Sequence, residues 1–545
     1  MTPTSLAARG RMSDLDKETS PGANTSDALH PRLTTSLDSS SGQSSSDDLS
    51  EAYTVHQEES IITYASQDVR PYPNYLLPIA RLPPEILCPI FMHLYPLAKA
   101  PFKSAAFFGW IPVTHVCRRW RDIALAHRSL WTRIPLELGT DWTTTLLERS
   151  KSLPIHLDAD EQRDPHIGTV ILQNLYRTKS LRLVAGPMSL LHSMVNPAPV
   201  IEELSIRDEA SLSTLPATFL GGYAPRLRRV KIHSSSRVSW SSRFLRNLVL
   251  LQLEVIDPLR ALHPPPPVHE VLDALERMPE LESLALWEAL PRAEAPFDRT
   301  ISLPHLAFLR LKGSMYDCTR LIGHIQISPA ATVKVEMQAS HEFPMDFRSF
   351  FSAIRTCLGA TAAIPVAALS IGVSPYYHNQ IVIRVWRELT DVDARRQEII
   401  LTDMTLVFTW SPSVADWDGH ALRQSICDVF ATGHLRMLWV YDDGWDSFHW
   451  KELALRAPGI EAISLSPSAG AELRRTLRED YYDDGPRVFP HLKSLFLDRN
   501  FDLSFLWKIG QLPMPKYIAR LRRILSAREK AGCAATQLTL HPPSW

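Results

Sequence analysis

The first hydrophobic pattern along the chain has the spacing of a helix and begins just after a pair of prolines, Pro83 and Pro84. Five large apolar residues stand at i, i+1, i+4, i+5 and i+8, which puts them on one face of a helix. Pro84 suits the first helical turn, where its missing N–H is not needed. The pattern therefore predicts a helix with one apolar face, whose members are Ile86, Leu87, Ile90, Phe91 and Leu94.

A second set of apolar residues repeats this helical spacing after Pro112, again a residue suited to a helix start. Its members are Val113, Val116, Cys117, Trp120 and Ala124. Leu130 and Trp131 then supply a third apolar anchor. Roughly 50 residues in two or three short helices cannot bury this much apolar surface among themselves. We therefore expect some of it to meet another protein.

From residue 136 onward the pattern becomes that of short strands. The motif Pro-x-φ-x-x-φ-x-φ, with φ aliphatic, begins at Pro199, Pro225, Pro279, Pro304, Pro458 and Pro490. Looser φ-x-φ pairs occur at Leu181/Leu183, Leu251/Leu253, Val333/Val335, Leu369/Ile371, Leu406/Phe408, Leu438/Val440 and Leu538/Leu540. Successive pairs lie roughly 21 to 43 residues apart. Such repetition is typical of a leucine-rich-repeat array.

Alternation along each strand sends the two aliphatics inward and the residue between them outward. Helical patterns fill some gaps between strands, with apolar residues at Val271, Leu272, Leu275 and Met278, and at Leu422, Ile426, Val429 and Phe430. Repeated strand–helix units predict a parallel sheet with helices outside. An amphipathic segment at 517–529, followed by Gly532, predicts a closing helix before the last strand. A compact α/β domain is the alternative.

The N-terminal residues have few large apolar side chains and many Ser, Thr, Asp and Glu. This composition cannot offset the entropy of ordering, so we expect disorder there. The sequence thus predicts a mixed α/β protein with a disordered N-terminal tail. Its predicted parts are a Ser/Asp-rich tail and lead-in at 1–74, a short helical domain at 75–135 and an irregular leucine-rich-repeat solenoid at 136–545.

Composition and motifs limit which partners, cofactors and metal sites are expected. The net charge of −1 gives no reason to expect a nucleic-acid partner. Six scattered cysteines without a CxxC pair favour reduced thiols, hence a cytoplasmic or nuclear protein. There is no apolar run long enough for a membrane span, and we expect no membrane partner and no cofactor. His434 and His449 stand near three aspartates, but without repeated ligand spacing a solvated loop is favoured over a metal site.

The helical stretch resembles an F-box, in the F-box-like form common in fungal proteins. The resemblance is carried by LPPEIL at 82–87, IF at 90–91, VCRRWR at 116–121 and LW at 130–131. It implies docking on a Skp-type adaptor and, through it, on the cullin of a ubiquitin ligase. The adaptor-binding residues that it implies are Leu82, Pro83, Ile86, Leu87, Ile90, Phe91, Leu94, Val116, Cys117, Trp120, Leu130 and Trp131.

Two features depart from a compact F-box. The segment at 95–112 is about ten residues longer, and Pro89 lies inside the first helix, where it removes a backbone hydrogen bond. The alternative to adaptor docking is an ordinary helical hairpin that packs on its own chain.

The outward positions of the predicted strands are candidates for target binding. They are mainly basic in the first half and aromatic in the second, which suggests a target that is acidic or phosphorylated at one end and apolar at the other. The alternative is that Arg310 and Lys312 pair with neighbouring carboxylates and that Trp439 is packed under a loop. The candidates are Arg207, Lys231, Trp287, Arg310, Lys312, Trp439, Tyr441 and Phe496.

Taken with the resemblance, these patterns predict a substrate adaptor and not an enzyme. We find no GxGxxG, GxxxxGK[ST], HExxH or GxSxG motif. The repeats would hold an unknown protein target for ubiquitination. A scaffold that binds a partner through its repeats, without any ligase, is the second hypothesis.

Overall fold

The computed structural model divides the chain into two compact units, Met1–Leu82 and Pro83–Trp545. The predicted tail at 1–74 and residues 95–108 of the predicted insert lie outside the described residues. The structure describes residues 78–94, 109–160, 167–185, 189–208, 215–216, 218–235, 238–256, 265–292, 299–339, 346–359, 364–373, 379–388, 402–410, 419–441, 444–482, 488–498 and 514–541.

In the first unit, residues Pro78–Arg81 form a 3-10 turn, and the backbone N–H of Leu82 donates to the carbonyl of Ile79 at 3.3 Å. In the second unit, the described helices and 3-10 turns follow in chain order. The helices are α1 (Pro84–Met92), α2 (Arg118–Ala126), α3 (Thr140–Ser150), α4 (Ile167–Asn174), α5 (Ser189–Ser193), α6 (Val268–Glu276), α7 (Met315–Gly323), α8 (Phe347–Cys357), α9 (Gly419–Val429), α10 (Ser447–Arg456), α11 (Pro467–Tyr482) and α12 (Met514–Lys530). The 3-10 turns are Ile111–His115, Arg128–Trp131, Leu136–Leu138, Leu175–Arg177, Phe219–Gly222 and Thr432–His434.

The second predicted helix is wrong in one respect, because it is broken into two elements. Pro112 lies in the 3-10 turn Ile111–His115, and α2 begins only at Arg118. Between them Cys117 is extended, with φ −159° and ψ 166°, and its sulfur accepts a hydrogen bond from the backbone N–H of Trp120 at 3.4 Å. The thiol therefore acts as a helix cap, a role that apolar spacing alone does not reveal.

Twenty strands lie in the described part of the chain, and sixteen of them form one sheet. The strands are β1 (Arg133–Pro135), β2 (Ile155–Asp160), β3 (Thr178–Ala185), β4 (Glu203–Asp208), β5 (Arg229–Ser234), β6 (Leu250–Val255), β7 (Ser283–Trp287), β8 (Ile301–Leu303), β9 (Phe308–Ser314), β10 (Ile325–Ile327), β11 (Thr332–Gln338), β12 (Ile364–Pro365), β13 (Ala368–Val373), β14 (Gln380–Trp386), β15 (Met404–Thr409), β16 (Phe430–Ala431), β17 (Met437–Tyr441), β18 (Ala462–Leu465), β19 (Ser494–Asp498) and β20 (Gln537–His541). The short strands β8 and β10 pair with each other, as do β12 and β16.

The large sheet is mostly parallel, and its strand order is β1-β2-β3-β4-β5-β6-β7-β9-β11-β15-β14-β13-β17-β18-β19-β20. Neighbours from β1 to β11 follow chain order and pair in parallel, as do β17 to β20. The exception is β14, which pairs antiparallel with both β13 and β15. In the middle of the sheet, the strands β15, β14 and β13 therefore lie side by side in the reverse of their chain order.

The predicted aliphatic pairs lie on strands of this sheet, and the aliphatic φ residues of the six proline-initiated copies are buried. In the copy that starts at Pro304, for example, Leu306, Leu309 and Leu311 are all fully buried. The predicted helical patterns before two strands correspond to α6 and α9, with Phe430 falling just beyond α9 in β16. The sheet begins slightly earlier than expected, because β1 precedes the predicted boundary at residue 135 and already pairs with β2.

The last helix and strand follow the sequence prediction closely. Helix α12 buries Tyr517, Leu521 and Leu525, and Gly532 with φ +90° follows its end. Strand β20 then pairs in parallel with β19 at the edge of the sheet. None of the described helices has the length and apolar character that crossing a bilayer requires.

Candidate functional site

Helix α1 carries two rows of apolar side chains that have opposite environments. Leu87 and Phe91 are fully buried, and the Phe91 ring lies 5.2 Å from that of Trp120 on α2. Ile86 and Ile90, one position earlier in each turn, are 49% and 38% exposed. Leu94, which extends their row just beyond the helix, is 44% exposed. One apolar row of the helix is thus buried, and the other is partly open to solvent.

Further exposed apolar surface flanks the helices. Val116, just before α2, is 56% exposed, and Pro83 at the start of α1 is exposed as well. We name the set of Pro83, Ile86, Ile90, Leu94 and Val116 the exposed apolar set. Each member belongs to the residues that the F-box resemblance marks for adaptor binding.

The remaining residues of that prediction are engaged within the chain. Leu130 and Trp131 are buried, and the indole N–H of Trp131 donates to the Ala124 carbonyl at 3.2 Å. The Trp131 ring also packs edge-on against Trp110, with centroids 4.8 Å apart. Together with Leu87 and Phe91 they hold the helices in place, while Cys117 and Trp120 are half-buried. Leu82 belongs to the first compact unit.

These helices and turns lie within a segment that matches a known protein family. Residues 79–137 match the protein family described as F-box-like. The match confirms the F-box-like domain that the sequence motifs predict. F-box domains are adaptors and not enzymes, so the domain suggests a Skp-binding adaptor role in a ubiquitin ligase complex. A comparison of the chain with curated proteins gave no match.

The second candidate surface is the outward side of the large sheet, where the register aligns two rows of side chains. The first row runs through Arg182, Ser205, Lys231, Gln252, Ala285, Arg310, Lys334, Thr405, Arg384, Ser370, Trp439, Ser464 and Phe496. The second runs through Arg207, His233, Glu254, Trp287, Lys312, Glu336, Val407, Val382, Gly372 and Tyr441.

In the first half of the sheet these rows combine cations that have partners with cations that have none among the described residues. Arg207 and Lys231 are exposed, and Lys312 is half-buried; no described carboxylate pairs with any of the three. Arg310 differs, because its guanidinium stacks 4.2 Å from the Trp287 ring and pairs with Glu336 at 2.8 Å. The alternative of an internally paired residue therefore applies to Arg310 and not to Lys312.

In the second half the predicted aromatics are less accessible than alternation suggests. Trp439 is only 7% exposed, because its ring packs 5.3 Å from that of Trp386 on the antiparallel strand β14. Tyr441 is half-buried, with its hydroxyl 3.2 Å from that of Ser464. Phe496 is also half-buried. An aromatic contact with a target would therefore involve Tyr441 and Phe496 before Trp439.

One carboxyl on the outward side is strongly perturbed. Burial raises the pKa of Asp158 to about 7, Glu137 acts in the same direction, and Arg182 opposes both. The Arg182 guanidinium lies 3.6 Å from the carboxylate, so its attraction is weaker than the effect of burial. The basic row therefore ends at a carboxyl that is partly protonated near neutral pH.

Asp446 and His449 of the predicted loop form a structural contact at the start of α10. Asp446 caps α10 by accepting from the backbone N–H of His449 at 3.0 Å, and the ring of His449 contacts His420 at 2.7 Å. The expected solvated loop is thus a helix start, although Asp442 and Asp443 lie outside the described residues. Within the described residues no group of three His, Cys, Asp or Glu side chains is arranged to hold a metal.

Proposed function

We propose that this chain is the substrate-recognition adaptor of a Skp–cullin–F-box ubiquitin ligase, in which the F-box-like helices bind a Skp-type adaptor and the sheet binds the target. The observation that carries the first part is the exposed apolar set. Large apolar side chains that line one side of a short helix are unfavourable in water, and such patches mark protein interfaces. The family match supplies the class of partner.

Exposure divides the proposed adaptor contacts into two groups. Ile86, Ile90, Leu94 and Val116 are accessible and would contact the adaptor directly. Leu87, Phe91, Leu130 and Trp131 would act indirectly, since their side chains are occupied by the interior that fixes the helices. A rearrangement of α1 would be needed to bring Leu87 and Phe91 to the adaptor.

The test compares truncations of the exposed set with truncations of apolar residues that are exposed elsewhere. Ile86→Ala combined with Ile90→Ala should weaken binding of a recombinant Skp-type adaptor by about 2 kcal/mol or more, on the scale of interface hot spots. The matched control combines Phe448→Ala with Leu455→Ala, two exposed residues of α10. Calorimetric titration measures affinity, and circular dichroism checks folding.

Two results would change the proposal. Undiminished binding by a folded Ile86/Ile90 variant would exclude α1 as the contact surface. A chain that binds no Skp-type adaptor or cullin, yet captures a stable partner through its sheet, would favour the scaffold function.

The second part of the proposal is that the sheet belongs to a leucine-rich-repeat-like solenoid. It is supported by the strands of the large sheet from β1 to β11 and from β17 to β20, whose neighbours follow chain order and pair in parallel. Helices also follow one another, since α7 contacts α8, α8 contacts α9, α9 contacts α10, α10 contacts α11 and α11 contacts α12. Lateral contact between successive units is the hallmark of repeat proteins.

We further propose that the target lies on the outward rows and carries negative charge toward the first half of the sheet. Arg207, Lys231 and Lys312 support this, because no described carboxylate neutralises them. Cationic side chains of this kind suit carboxylate or phosphate groups. Such a target would meet Tyr441 and Phe496 at its other end. The protein would act in the cytosol, the nucleus or both.

Charge reversal tests the target surface. A variant with Arg207→Glu, Lys231→Glu and Lys312→Glu should lose targets in proximity labelling while still binding the Skp-type adaptor. The matched control reverses Lys516, Arg522 and Arg523, three exposed cations of α12. An unchanged target list in the first variant, or an equal loss in both, would move target recognition away from these rows.

A further inference from the structure

A cleft next to the F-box-like helices has the features of a separate binding site. It has a volume of about 330 Å³ and lies between the turn Ile111–His115, α2 and α3. Its apolar walls include Trp110 and Trp131, which are nearly fully buried, and Leu125 and Trp142, which are 39% and 44% exposed. A ligand would therefore meet a deep aromatic floor and an exposed apolar rim, as in most ligand-binding clefts.

One acidic and one basic side chain of the cleft come from one face of α3, while Thr114 and His115 line it from the turn before α2. Asp141 and Arg149 both line it, with Thr145 between them at helical spacing. The two charged residues are eight positions apart, which corresponds to about 12 Å along the helix axis. The cleft thus combines an acidic and a basic side chain, set apart along α3, with a largely apolar lining.

Arg149 is held in place without being neutralised. Its guanidinium stacks over the Trp131 ring at 4.2 Å from the centroid, which fixes the orientation of the group. Among the described residues no carboxylate pairs with Arg149, and no cation pairs with Asp141. A stacked arginine keeps its N–H groups available for bidentate binding of a carboxylate.

We infer that this cleft binds a short segment of a partner protein with a basic side chain and an acidic side chain that flank apolar residues. The basic group would face Asp141, the acidic group Arg149, and the apolar residues the tryptophans. A free amino acid does not fit, because its opposite charges lie on one carbon and cannot reach both charged side chains. Five extended residues span about 13 Å, which matches the separation of the two charges.

The site is separate from the residues proposed to contact the adaptor directly, and the inference does not depend on the proposed function. The walls come from the turn before α2, from α2, from Trp131 and from α3. None of the described residues of α1, and no member of the exposed apolar set, is among them. A bound segment at the cleft should therefore be compatible with a Skp-type adaptor on α1.

The test uses the full chain and fluorescein-labelled pentapeptide pools in an anisotropy titration. One pool has the form acetyl-Lys-X-X-X-Glu-amide, with X drawn from Leu, Phe and Trp. Two further pools carry Lys or Glu at both ends, and a fourth keeps the opposite charges around three serines. We expect saturable binding of the first pool and at least tenfold weaker binding of the serine pool.

Variants then assign the binding to the cleft. Arg149→Gln and Trp142→Ala should each weaken binding of the first pool by about tenfold, consistent with loss of a charge-assisted contact. Arg149→Glu should reverse the preference and favour the pool with lysine at both ends. The matched control Arg226→Glu changes an exposed arginine far along the chain and should leave affinity unchanged. Circular dichroism confirms that each variant is folded.

Three outcomes would overturn the inference. The first is that no pool binds saturably to the full chain. The second is that Arg149→Gln, Trp142→Ala and Arg226→Glu bind equally well, which would locate binding elsewhere. The third is displacement of the bound peptide by a Skp-type adaptor, which would make the cleft part of the adaptor surface.

Discussion

Helix α1 and the strands of the large sheet differ in how the burial of adjacent residues follows their polar or apolar character. On α1 the adjacent residues Ile86 and Leu87 are both apolar, yet one is 49% exposed and the other fully buried. On β9 the buried residues Leu309 and Leu311 alternate with the half-buried, charged Arg310. The polar or apolar character of a residue thus indicates its side of the strand, but it does not do so on the helix.

The difference follows from geometry. The apolar positions considered are Ile86, Leu87, Cys88, Ile90 and Phe91 of α1 and Leu94 just beyond it. At 100° per residue, they cover an arc of about 200° around the helix axis. The exposed positions occupy the first 80° or so of that arc, and the buried positions the remainder. A single packing contact covers only part of so wide an arc. The uncovered part is the surface that we assign to the adaptor.

The sharpest test of this comparison replaces one residue from each row of α1. Phe91→Ala should lower the free energy of unfolding by about 3–5 kcal/mol, because it removes a fully buried ring that packs on Trp120. Ile90→Ala should lower it by less than about 1 kcal/mol, since the side chain already contacts water. Urea titration followed by circular dichroism gives both values. Equal losses would show that the two rows do not differ in burial.

The same comparison on a strand uses two adjacent residues of β6. Leu251→Ala should cost about 2–5 kcal/mol, because the side chain is fully buried. Gln252→Ala should stay within about 0.5 kcal/mol, because its side chain is outward and half-buried. The denaturation midpoints of the two variants, measured under identical conditions, compare these losses of stability. A large loss for Gln252→Ala would mean that the outward row is covered by other parts of the chain.

Alternation allowed much of the sheet to be predicted from sequence, but β14 was not among the predicted strands and its antiparallel direction was not foreseen. Residues 380–386 (QIVIRVW) bury Ile381, Ile383 and Val385 in strict alternation, but alternation reads the same in a parallel and an antiparallel strand. The direction of a strand depends on the segments that connect it to its neighbours, and the aliphatic pattern of the strand carries no information about them. Trp439 is an outward position of its strand and yet is nearly buried, because its ring packs against Trp386 of β14.

The helical region shows the complementary limit. Motif residues predicted the F-box-like domain, and the family match confirms it. Apolar spacing could not separate Ile86 and Ile90 from Leu87 and Phe91, since all four lie within one wide arc. The charged residues of the cleft on α3 were also missed, because Asp141 and Arg149 belong to no motif and become neighbours of Trp131 only through packing.

A glycine tests how tightly the middle of the outward rows is packed. A Cβ atom added at Gly372 of β13 would lie 2.8 Å from the Cβ of Tyr441 on the next strand, closer than such atoms can approach. Gly372→Ala should therefore destabilise by about 1–3 kcal/mol through overpacking. Adding Tyr441→Gly, which removes the clashing Cβ, should make Gly372→Ala cost less than it does in the parent chain. Thermal melting of the single and double variants measures both effects, and a neutral Gly372→Ala would show that β13 and β17 can separate locally.

The smallest expected effect concerns pH and the end of the outward rows. Because burial raises the pKa of Asp158 from 3.8 to about 7, the folded state favours the neutral carboxyl. Between these two values, rising pH ionises the group in the unfolded chain first, so this residue lowers stability as pH rises, and the penalty becomes constant above about pH 7. Asp158→Asn should therefore gain stability relative to the parent chain between pH 4 and 7, on the order of 1 kcal/mol once solvent access and the lost pair with Arg182 are allowed for.

Arg182→Gln should move the transition to higher pH, because it removes the cation that opposes burial. Denaturation at a series of pH values measures both variants. A constant stability difference between Asp158→Asn and the parent chain would show that Asp158 ionises in the same way in the folded and unfolded states, and hence that this outward position is as well solvated as alternation alone suggests.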